Sequence, residues 1–311
     1  MGEEKVTKST AEISLSGFVI EAEDAEKMAR ESGAATVEDL LPSLVPAAMR
    51  LVRAPISRFP VGAVGLGLSG RIYVGVNLEF EGLPLNHSVH AEQFLISNAA
   101  AAGEAGMRCI AVSSVPCGHC RQFLQEVRGA PEIRILVTAD GPNAAFRTIS
   151  SLLPRPFGPP DLLHKGVPLL LEIHDNDLGA IPEANGGDAK CNGGEAVGMD
   201  RRLRTAAEAA ARAAHAPYSA CAAGFAVGDR KGRVYAGSYA ESAAYNPSLS
   251  PVQAAMVAMV AAGGEEEVVA AALVEKDKAI VSHESTARIF LAAVAPGAHL
   301  SVYRYRPSDV V

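Results

Sequence analysis

The sequence predicts an α/β protein in which a three-layer α/β/α fold occurs twice, preceded by a small helical region. Strand-like and helical patterns alternate through residues 61–138, which is typical of helices packed on a sheet. A stretch that begins near residue 201 repeats the earlier one, as duplicated folds do. These observations predict a helical N-terminal region (1–53), a first lobe (54–165), a connector (166–200) and a second lobe (201–311).

The helical region is predicted from apolar residues spaced three and four apart in residues 24–31 and 37–52. Pro42 and Pro46 fall in the second of these stretches. Because proline lacks the amide proton that a helix interior uses, we expect both at helix starts or breaks. In the connector, the apolar run 169–173 predicts a short strand.

The first lobe is predicted to begin with a hairpin, because residues 61–68 and 71–80 are rich in Val, Ile, Tyr and Leu around a Ser69-Gly70 turn. A helix after His90, a strand at 109–114, a helix from Cys117 to Val127 and a strand at 133–138 follow. This alternation places the two helix starts at one edge of the sheet.

Composition restricts the function classes. The chain has 311 residues, 49% of them hydrophobic, and a net charge of −7. That balance argues against a nucleic-acid partner, since phosphate contacts require clustered Lys and Arg. The longest apolar run, 254–262, is far shorter than the roughly 20 residues of a membrane span. The five cysteines show no disulfide framework, so we expect a cytoplasmic protein: Cys109, Cys117, Cys120, Cys191 and Cys221.

The sequence His90-Ala91-Glu92 and the later Pro116-Cys117-Gly118-His119-Cys120 form the pattern H-x-E…P-C-x-x-C, with 23 residues between its halves. Zinc-dependent nucleoside and nucleobase deaminases carry this pattern. One histidine and two cysteines would bind Zn²⁺ and leave a fourth position for water, as in catalytic rather than structural sites. Glu92 would then be the proton shuttle. The alternative is a pair of core cysteines and a surface histidine.

Spacing supports convergence of these side chains. Cys117 and Cys120 share a face on a first helical turn, where backbone amides favour thiolates. His90 and Glu92 could not reach one point from mid-helix, but they can if His90 precedes the helix. Ser88 is predicted as the N-cap. We expect His119 to be a loop residue rather than a ligand.

The second lobe keeps the frame of the first but not its chemistry. Residues 54–57, 70–75 and 86–89 match 216–219, 232–237 and 246–249. The matched chemistry is absent: His90 falls on Ser250, Glu92 on Val252, Cys117 on Glu284 and Cys120 on Ala287. We therefore expect one zinc per chain, with the second lobe packing against the first and completing a pocket.

With these residues and the motifs Phe59-Pro60-Val61-Gly62-Ala63, Asn77-Leu78-Glu79 and Leu83-Pro84-Leu85, the chain resembles the cytidine deaminases. The likeness extends over nearly the whole chain and is to the long homodimeric kind of plants and enteric bacteria. It implies hydrolysis of cytidine and deoxycytidine to uridine and deoxyuridine, with ammonia released, in pyrimidine salvage. It also implies a homodimer with one Zn²⁺ per chain and a free nucleoside as substrate.

The resemblance implies a role for each matching position. His90, Cys117 and Cys120 would bind zinc, and Glu92 would carry protons. Further residues would contact substrate: Asn77 and Glu79 the ribose, Phe59 the face of the base, the backbone of Ala91 and Val115 its edge, and Phe157, Ala244 and Tyr245 a neighbouring active site across the dimer. Read without the resemblance, Asn77 and Glu79 are a surface pair at a strand end.

Three questions stay open at this point. Arg121 could donate to a ligand sulfur or cap the surface. The same zinc motif serves deaminases that edit RNA or DNA. A non-catalytic zinc-binding regulator is the remaining alternative, since the second lobe itself has lost the catalytic residues.

Overall fold

Two mixed sheets organise the chain in the computed structural model, which describes residues 14–182, 194–264 and 267–307, with side chains from 198 onward in the second range. One sheet has six strands and lies in the N-terminal half. The other has four strands and lies in the C-terminal half. The architecture is the predicted α/β fold, duplicated.

The six-stranded sheet has the order β1-β3-β2-β4-β5-β6. Strands β4 and β5 are parallel, and the other pairs are antiparallel. The elements of this half are β1 (Val19–Ile20), α1 (Ala22–Ser32), α2 (Val37–Met49), β2 (Gly62–Gly67), β3 (Ile72–Val76), α3 (Ala91–Ala101), β4 (Met107–Val112), α4 (Gly118–Phe123), β5 (Arg134–Val137), β6 (Arg147–Thr148), α5 (Ile149–Leu152) and α6 (Pro159–Leu162).

The four-stranded sheet has the order β10-β9-β7-β8, with β9 and β10 parallel. Helix α7 begins at Gly194, inside the range predicted as connector, and the predicted lobe boundaries stay predictions. The elements are α7 (Gly194–Arg212), β7 (Ala223–Asp229), β8 (Val234–Ser238), α8 (Pro251–Ala261), β9 (Val268–Lys276), α9 (Glu284–Val294) and β10 (His299–Tyr305).

Glycines on the first hairpin allow a helix to lie close on each face of the sheet. A Cβ on Gly62 would lie 2.8 Å from the Met49 nitrogen of α2, and one on Gly75 would lie 2.1 Å from the Ala91 oxygen of α3. Gly62 pairs with Val76 while Gly75 pairs with the next residue along, Ala63. Neighbouring pairs face opposite sides of a sheet, so α2 and α3 form its two outer layers.

The second lobe uses the matching glycines in the same way. A Cβ on Gly224 would lie 2.1 Å from the Ala207 oxygen of α7, and one on Gly237 would lie 2.1 Å from the Ala255 nitrogen of α8. The two lobes meet where α3 packs against α8. Among the described helices, none combines the length and apolar character needed to cross a bilayer.

The prediction that Pro42 and Pro46 lie at helix starts or breaks was wrong. Pro42 and Pro46 lie inside the continuous helix α2. Pro46 has no amide proton for the carbonyl four residues earlier, that of Pro42. Because Pro46 is exposed and Pro42 is half-buried, that carbonyl can bind water instead. The helix is held by burial of its other face, which carries Leu40, Leu41, Leu44 and Val45.

The predicted strand at 169–173 is a turn. The Glu172 amide donates to the Leu169 oxygen at 2.9 Å, and the Leu170 amide donates to the Glu126 oxygen at 2.9 Å. An ion pair from Arg128 to Glu172 at 2.7 Å fixes the turn. All three leucines are buried, and Leu170 and Leu171 belong to the hydrophobic core of the first lobe, so their hydrophobicity reflects core packing and not sheet pairing.

Both hairpins contain a buried tyrosine that donates to a buried carboxylate. Tyr73 donates to Glu104 at 2.9 Å, and its counterpart Tyr235 donates to Asp229 at 3.1 Å. Burial and the bond to Glu104 raise the pKa of Tyr73 to about 12. The two carboxylates come from different places: Glu104 follows α3, whereas Asp229 ends β7.

In each lobe, a glycine stands at the position from which the other lobe supplies its carboxylate. Gly67 ends β2 at a bulge where Asp229 ends β7, and a Cβ on Gly67 would lie 2.2 Å from a Glu104 oxygen. The counterpart of Glu104 after α8 is Gly264, where a Cβ would lie 3.1 Å from the Tyr235 hydroxyl. One carboxylate per hairpin is therefore supplied from either of two positions.

This exchange predicts coupling between positions 67 and 104. Glu104→Gly should lower the free energy of unfolding by about 1–3 kcal/mol, because Tyr73 loses its acceptor. Gly67→Asp should also destabilise, since two carboxylates would compete for one space. The double variant should recover to within about 1 kcal/mol of wild type in urea unfolding. Additive losses would contradict the exchange.

Candidate active site

The start of α3 presents His90 and Glu92 to one point. His90 is the N-cap, with an extended backbone (φ −80°, ψ 155°), and Glu92 lies in the first turn. Hydrogen bonds between Val89 and Leu78, at 2.8 and 2.9 Å, hold the chain that enters the helix. The predicted N-cap, Ser88, was wrong: it follows a short 3₁₀ turn at Leu85–His87. These two bonds form an isolated β-bridge, which keeps the chain extended as far as His90.

The start of α4 carries the two cysteines. Cys117 is its N-cap, also extended (φ −68°, ψ 169°), and Cys120 is buried within the helix. Arg121 donates to the Pro116 and Leu152 oxygens, each at 2.8 Å. The bonds described for Arg121 thus go to carbonyls rather than to a ligand sulfur, and they fix the residue that precedes Cys117.

The three side chains fit a zinc ion. His90 Nδ1 lies 3.5 Å from the Cys117 sulfur and 3.3 Å from the Cys120 sulfur. Tetrahedral zinc with ordinary Zn–N and Zn–S bonds separates nitrogen from sulfur by roughly 3.6 Å. All three ligand atoms lie within 4.8 Å of one another, and no other group of three potential ligands is found in the described part of the chain.

Electrostatics favour a cation at this point. Hydrogen bonds from Cys120 and His90 lower the pKa of Cys117 to about 3. Burial raises the pKa of Glu92, while bonds from its own amide and from Cys120 and the His90 charge act in the opposite direction. Glu92 is 3% exposed. A thiolate, an imidazole and a shielded carboxyl group are therefore gathered within one small site.

Two residues in the site have contacts that the sequence did not predict. His119 lies in α4 rather than in a loop, and its ring stacks on His90 with centroids 5.4 Å apart. The Gln93 side chain accepts from the His90 amide at 3.4 Å, as the third helical residue of a capping box does. The signal for Gln93 was present in the sequence, because glutamine three residues after an N-cap is typical of that motif.

Asn77 and Glu79 shape the loop that precedes the first hairpin. Asn77 accepts from the Val61 amide at 2.9 Å and donates to the Phe59 oxygen at 3.0 Å. Glu79 accepts from the Ile56 and Ser57 amides at 2.9 and 2.8 Å. Burial alone would raise the pKa of Glu79, but these bonds and one from the Ser57 hydroxyl lower it. The loop presents Phe59 with 57% of its surface exposed.

The other predicted contact residues lie on three segments. Ala91 is buried in the first turn of α3, and Val115 is 60% exposed just before Pro116. Phe157 is 49% exposed, and its carbonyl accepts from the Gln122 side chain of α4. Tyr245 is 68% exposed and has a left-handed backbone (φ 60°), next to Ala244.

The second lobe has different groups at the corresponding positions. Ser250 is the N-cap of α8, and its hydroxyl accepts from the Gln253 amide at 3.3 Å. Tyr239 takes the place of Asn77, and its ring contacts that of His283 with centroids 4.3 Å apart. Glu241 keeps the bonds of Glu79, accepting from the Tyr218 and Ser219 amides. The second lobe thus retains the turn and the helix cap, and the buried rings of Tyr239 and His283 lie at the site that corresponds to the zinc site.

Comparison with known proteins agrees with this geometry. The family model for the "cytidine and deoxycytidylate deaminase zinc-binding region" matches residues 36–136, and a second model of the same description matches 149–288. The chain is 50% identical over 298 residues to cytidine deaminase 1 of Arabidopsis thaliana, covering 92% of this chain and 97% of that protein.

The chain belongs to the cytidine and deoxycytidylate deaminase family. Within that family it is also 38% identical to a cytidine deaminase of Vibrio vulnificus, over 84% of this chain and 81% of that one. A crystal structure of cytidine deaminase from Mycobacterium leprae is 33% identical, covers 38% of this chain and 98% of its own, and has a TM-score of 0.34.

Zinc content tests the ligand assignment in this deaminase. Wild type should carry about one zinc per chain, and Cys117→Ala should lose it, because two remaining ligands hold the ion weakly. Metal analysis of the purified proteins measures this. Cys221→Ala is the matched control, since Cys221 is a buried thiol of the second lobe. Equal zinc in both variants would refute the assignment.

Proposed function

We propose that the protein is a zinc-dependent hydrolase that converts cytidine and deoxycytidine to uridine and deoxyuridine with release of ammonia. The observation that carries this is the buried Glu92, which lies in the first turn of α3 beside the His90, Cys117 and Cys120 group. A metal ion with a carboxyl group at this position suits addition of water to a base and departure of an amine.

Zinc bound by His90, Cys117 and Cys120 would activate water as the nucleophile. Glu92 would move the protons. It would take a proton from the attacking water and place it on N3 of the base, so that C4 accepts the oxygen. It would then take the second proton from the oxygen now bonded to C4 and deliver it to the amino group, so that the bond from C4 to that nitrogen breaks, ammonia leaves and a C4 carbonyl remains. Because Glu92 is buried, bulk water would have little access to its carboxyl group during these transfers.

Substrate recognition is proposed for the loop before β2. Phe59 would lie on the face of the base, and the backbone of Ala91 and Val115 would meet its edge. Asn77 and Glu79 would bind ribose hydroxyls with the lone pairs that the loop does not use. A free 3′-hydroxyl is required for that contact, which favours a nucleoside over a polymer whose 3′-oxygen carries phosphate.

Three further parts of the proposal concern the setting. We propose a homodimer in which Phe157, Ala244 and Tyr245 lie beside a neighbouring active site, and a role in pyrimidine salvage. We propose a cytoplasmic location, in keeping with the described cysteines Cys109, Cys117, Cys120 and Cys221, which are free thiols. The net charge of −7 argues against a nucleic-acid substrate.

Replacing Glu92 separates catalysis from metal binding. Glu92→Gln should keep the fold and the zinc but lower turnover of cytidine by about a thousandfold or more, because an amide cannot carry the proton. The loss of cytidine absorbance in the ultraviolet measures turnover. A single-stranded cytosine oligonucleotide is the comparison substrate. Turnover of the oligonucleotide alone would reverse the choice of substrate, and equal rates for variant and wild type would remove Glu92 from the mechanism.

Mixing two variants tests whether Tyr245 serves a neighbouring site. Tyr245→Ala should raise KM for cytidine. In a mixed dimer of one Tyr245→Ala chain and one Glu92→Gln chain, only the Tyr245→Ala chain has an intact Glu92. The neighbouring chain supplies an intact Tyr245 to that site. KM at that site should therefore return to the wild-type value. A KM that stays raised in the mixture would place Tyr245 beside its own chain's active site.

A further inference from the structure

Two glutamine side chains, one from each lobe, form hydrogen bonds to the backbone of the other lobe. Gln93 of α3 donates to the Pro247 oxygen at 3.0 Å. Its counterpart Gln253 of α8 donates to the oxygens of His87 and Ser88, at 3.0 and 3.3 Å. Each glutamine thus binds the backbone that leads into the helix of the other lobe, in a two-fold arrangement.

Each glutamine also caps its own helix with the opposite end of its amide. The Gln253 oxygen accepts from the Ser250 amide at 3.1 Å and from the Ser250 hydroxyl at 2.8 Å. Gln253 is 7% exposed, so its donors have little access to water. Because a buried amide is costly to leave unpaired, the Gln253 side chain is stabilised in the position where it binds both carbonyls.

The carbonyls bound by Gln253 belong to the residues that lead into the zinc site. His87 and Ser88 lie three and two residues before His90. The intervening Val89 is bonded to Leu78 of the first lobe. The approach to His90 is therefore held from two sides, by the first lobe through Leu78 and by the second lobe through Gln253.

The second helix of the zinc site is anchored to the second lobe as well. Glu126 ends the 3₁₀ turn that follows α4, the helix of Cys117 and Cys120, and it is fully buried. Its carboxylate accepts from the Ala243 amide at 2.7 Å, the Tyr218 hydroxyl at 2.7 Å and His215 Nε2 at 3.2 Å. The segments that border the two ligand-bearing helices are thus both bonded to the lobe that has none of the ligands.

We propose that Gln253 is a positioning residue for the zinc site: by holding the His87 and Ser88 carbonyls, it fixes His90 for metal binding. The proposal rests on the proposed function, in that His90 is taken as a zinc ligand. The second lobe has serine where the first has His90, but it retains the glutamine three residues later. That glutamine now serves the site of the other lobe.

The rate of zinc loss to a chelator tests this on the full chain. Gln253→Glu keeps an oxygen for the Ser250 amide but replaces the donor with a carboxylate. Gln253→Met, similar in length and uncharged, is the second variant should the first not fold. Ser250→Ala is the matched control, because it weakens the same helix cap and leaves the Gln253 donors in place. Urea unfolding of each variant reports overall stability.

We expect the Gln253 variants to lose zinc roughly tenfold faster than wild type, as changes to groups that orient metal ligands do. Ser250→Ala should stay within about twofold of wild type at a similar unfolding midpoint. Equal rates for Gln253 variants and Ser250→Ala, or wild-type rates in all, would overturn the proposal. The proposed function is tested by a different result: it would be contradicted if the wild-type protein bound no zinc or left cytidine unchanged.

Discussion

The start of α3 is the constraint on which the site depends. His90 and Glu92 are only two residues apart, and their side chains converge because one is extended and the other helical. That boundary is fixed by contact with β3, since a Cβ on Gly75 would lie 2.1 Å from the Ala91 oxygen. The absence of a side chain at Gly75 thus allows α3 to begin at the point where the side chains of His90 and Glu92 converge.

The second lobe shows which parts of this arrangement are structural. It keeps the paired glycines, the helix cap and the glutamate that holds the turn before the hairpin, although His90 and Glu92 are replaced by Ser250 and Val252. The buried carboxylate of the hairpin comes from a different position in each lobe, but it accepts from a tyrosine in both. Packing and hydrogen-bond satisfaction are therefore maintained independently of the chemistry, which is consistent with a lobe whose remaining role is support.

Sequence patterns predicted the duplicated fold and the His90, Cys117 and Cys120 group, because metal chemistry requires specific residue types at specific spacing. They did not predict the helical Pro42 and Pro46 or the turn at 169–173, where burial against distant residues outweighs local preference. Gln253 illustrates a further limit. Its capping role is visible in the sequence, but its bond to His87 spans 166 residues and depends on how the lobes pack.

Comparison of Glu79 with Glu241 separates two roles within one residue. Both carboxylates accept from two consecutive amides and a serine hydroxyl in the preceding turn. Holding that turn is the role they share. Glu241 is 4% exposed, whereas Glu79 is half-buried and retains oxygen lone pairs that can face a ligand. Ribose binding would therefore be an addition to an existing structural role, and a carboxylate already fixed by the turn meets a sugar hydroxyl with little further loss of entropy.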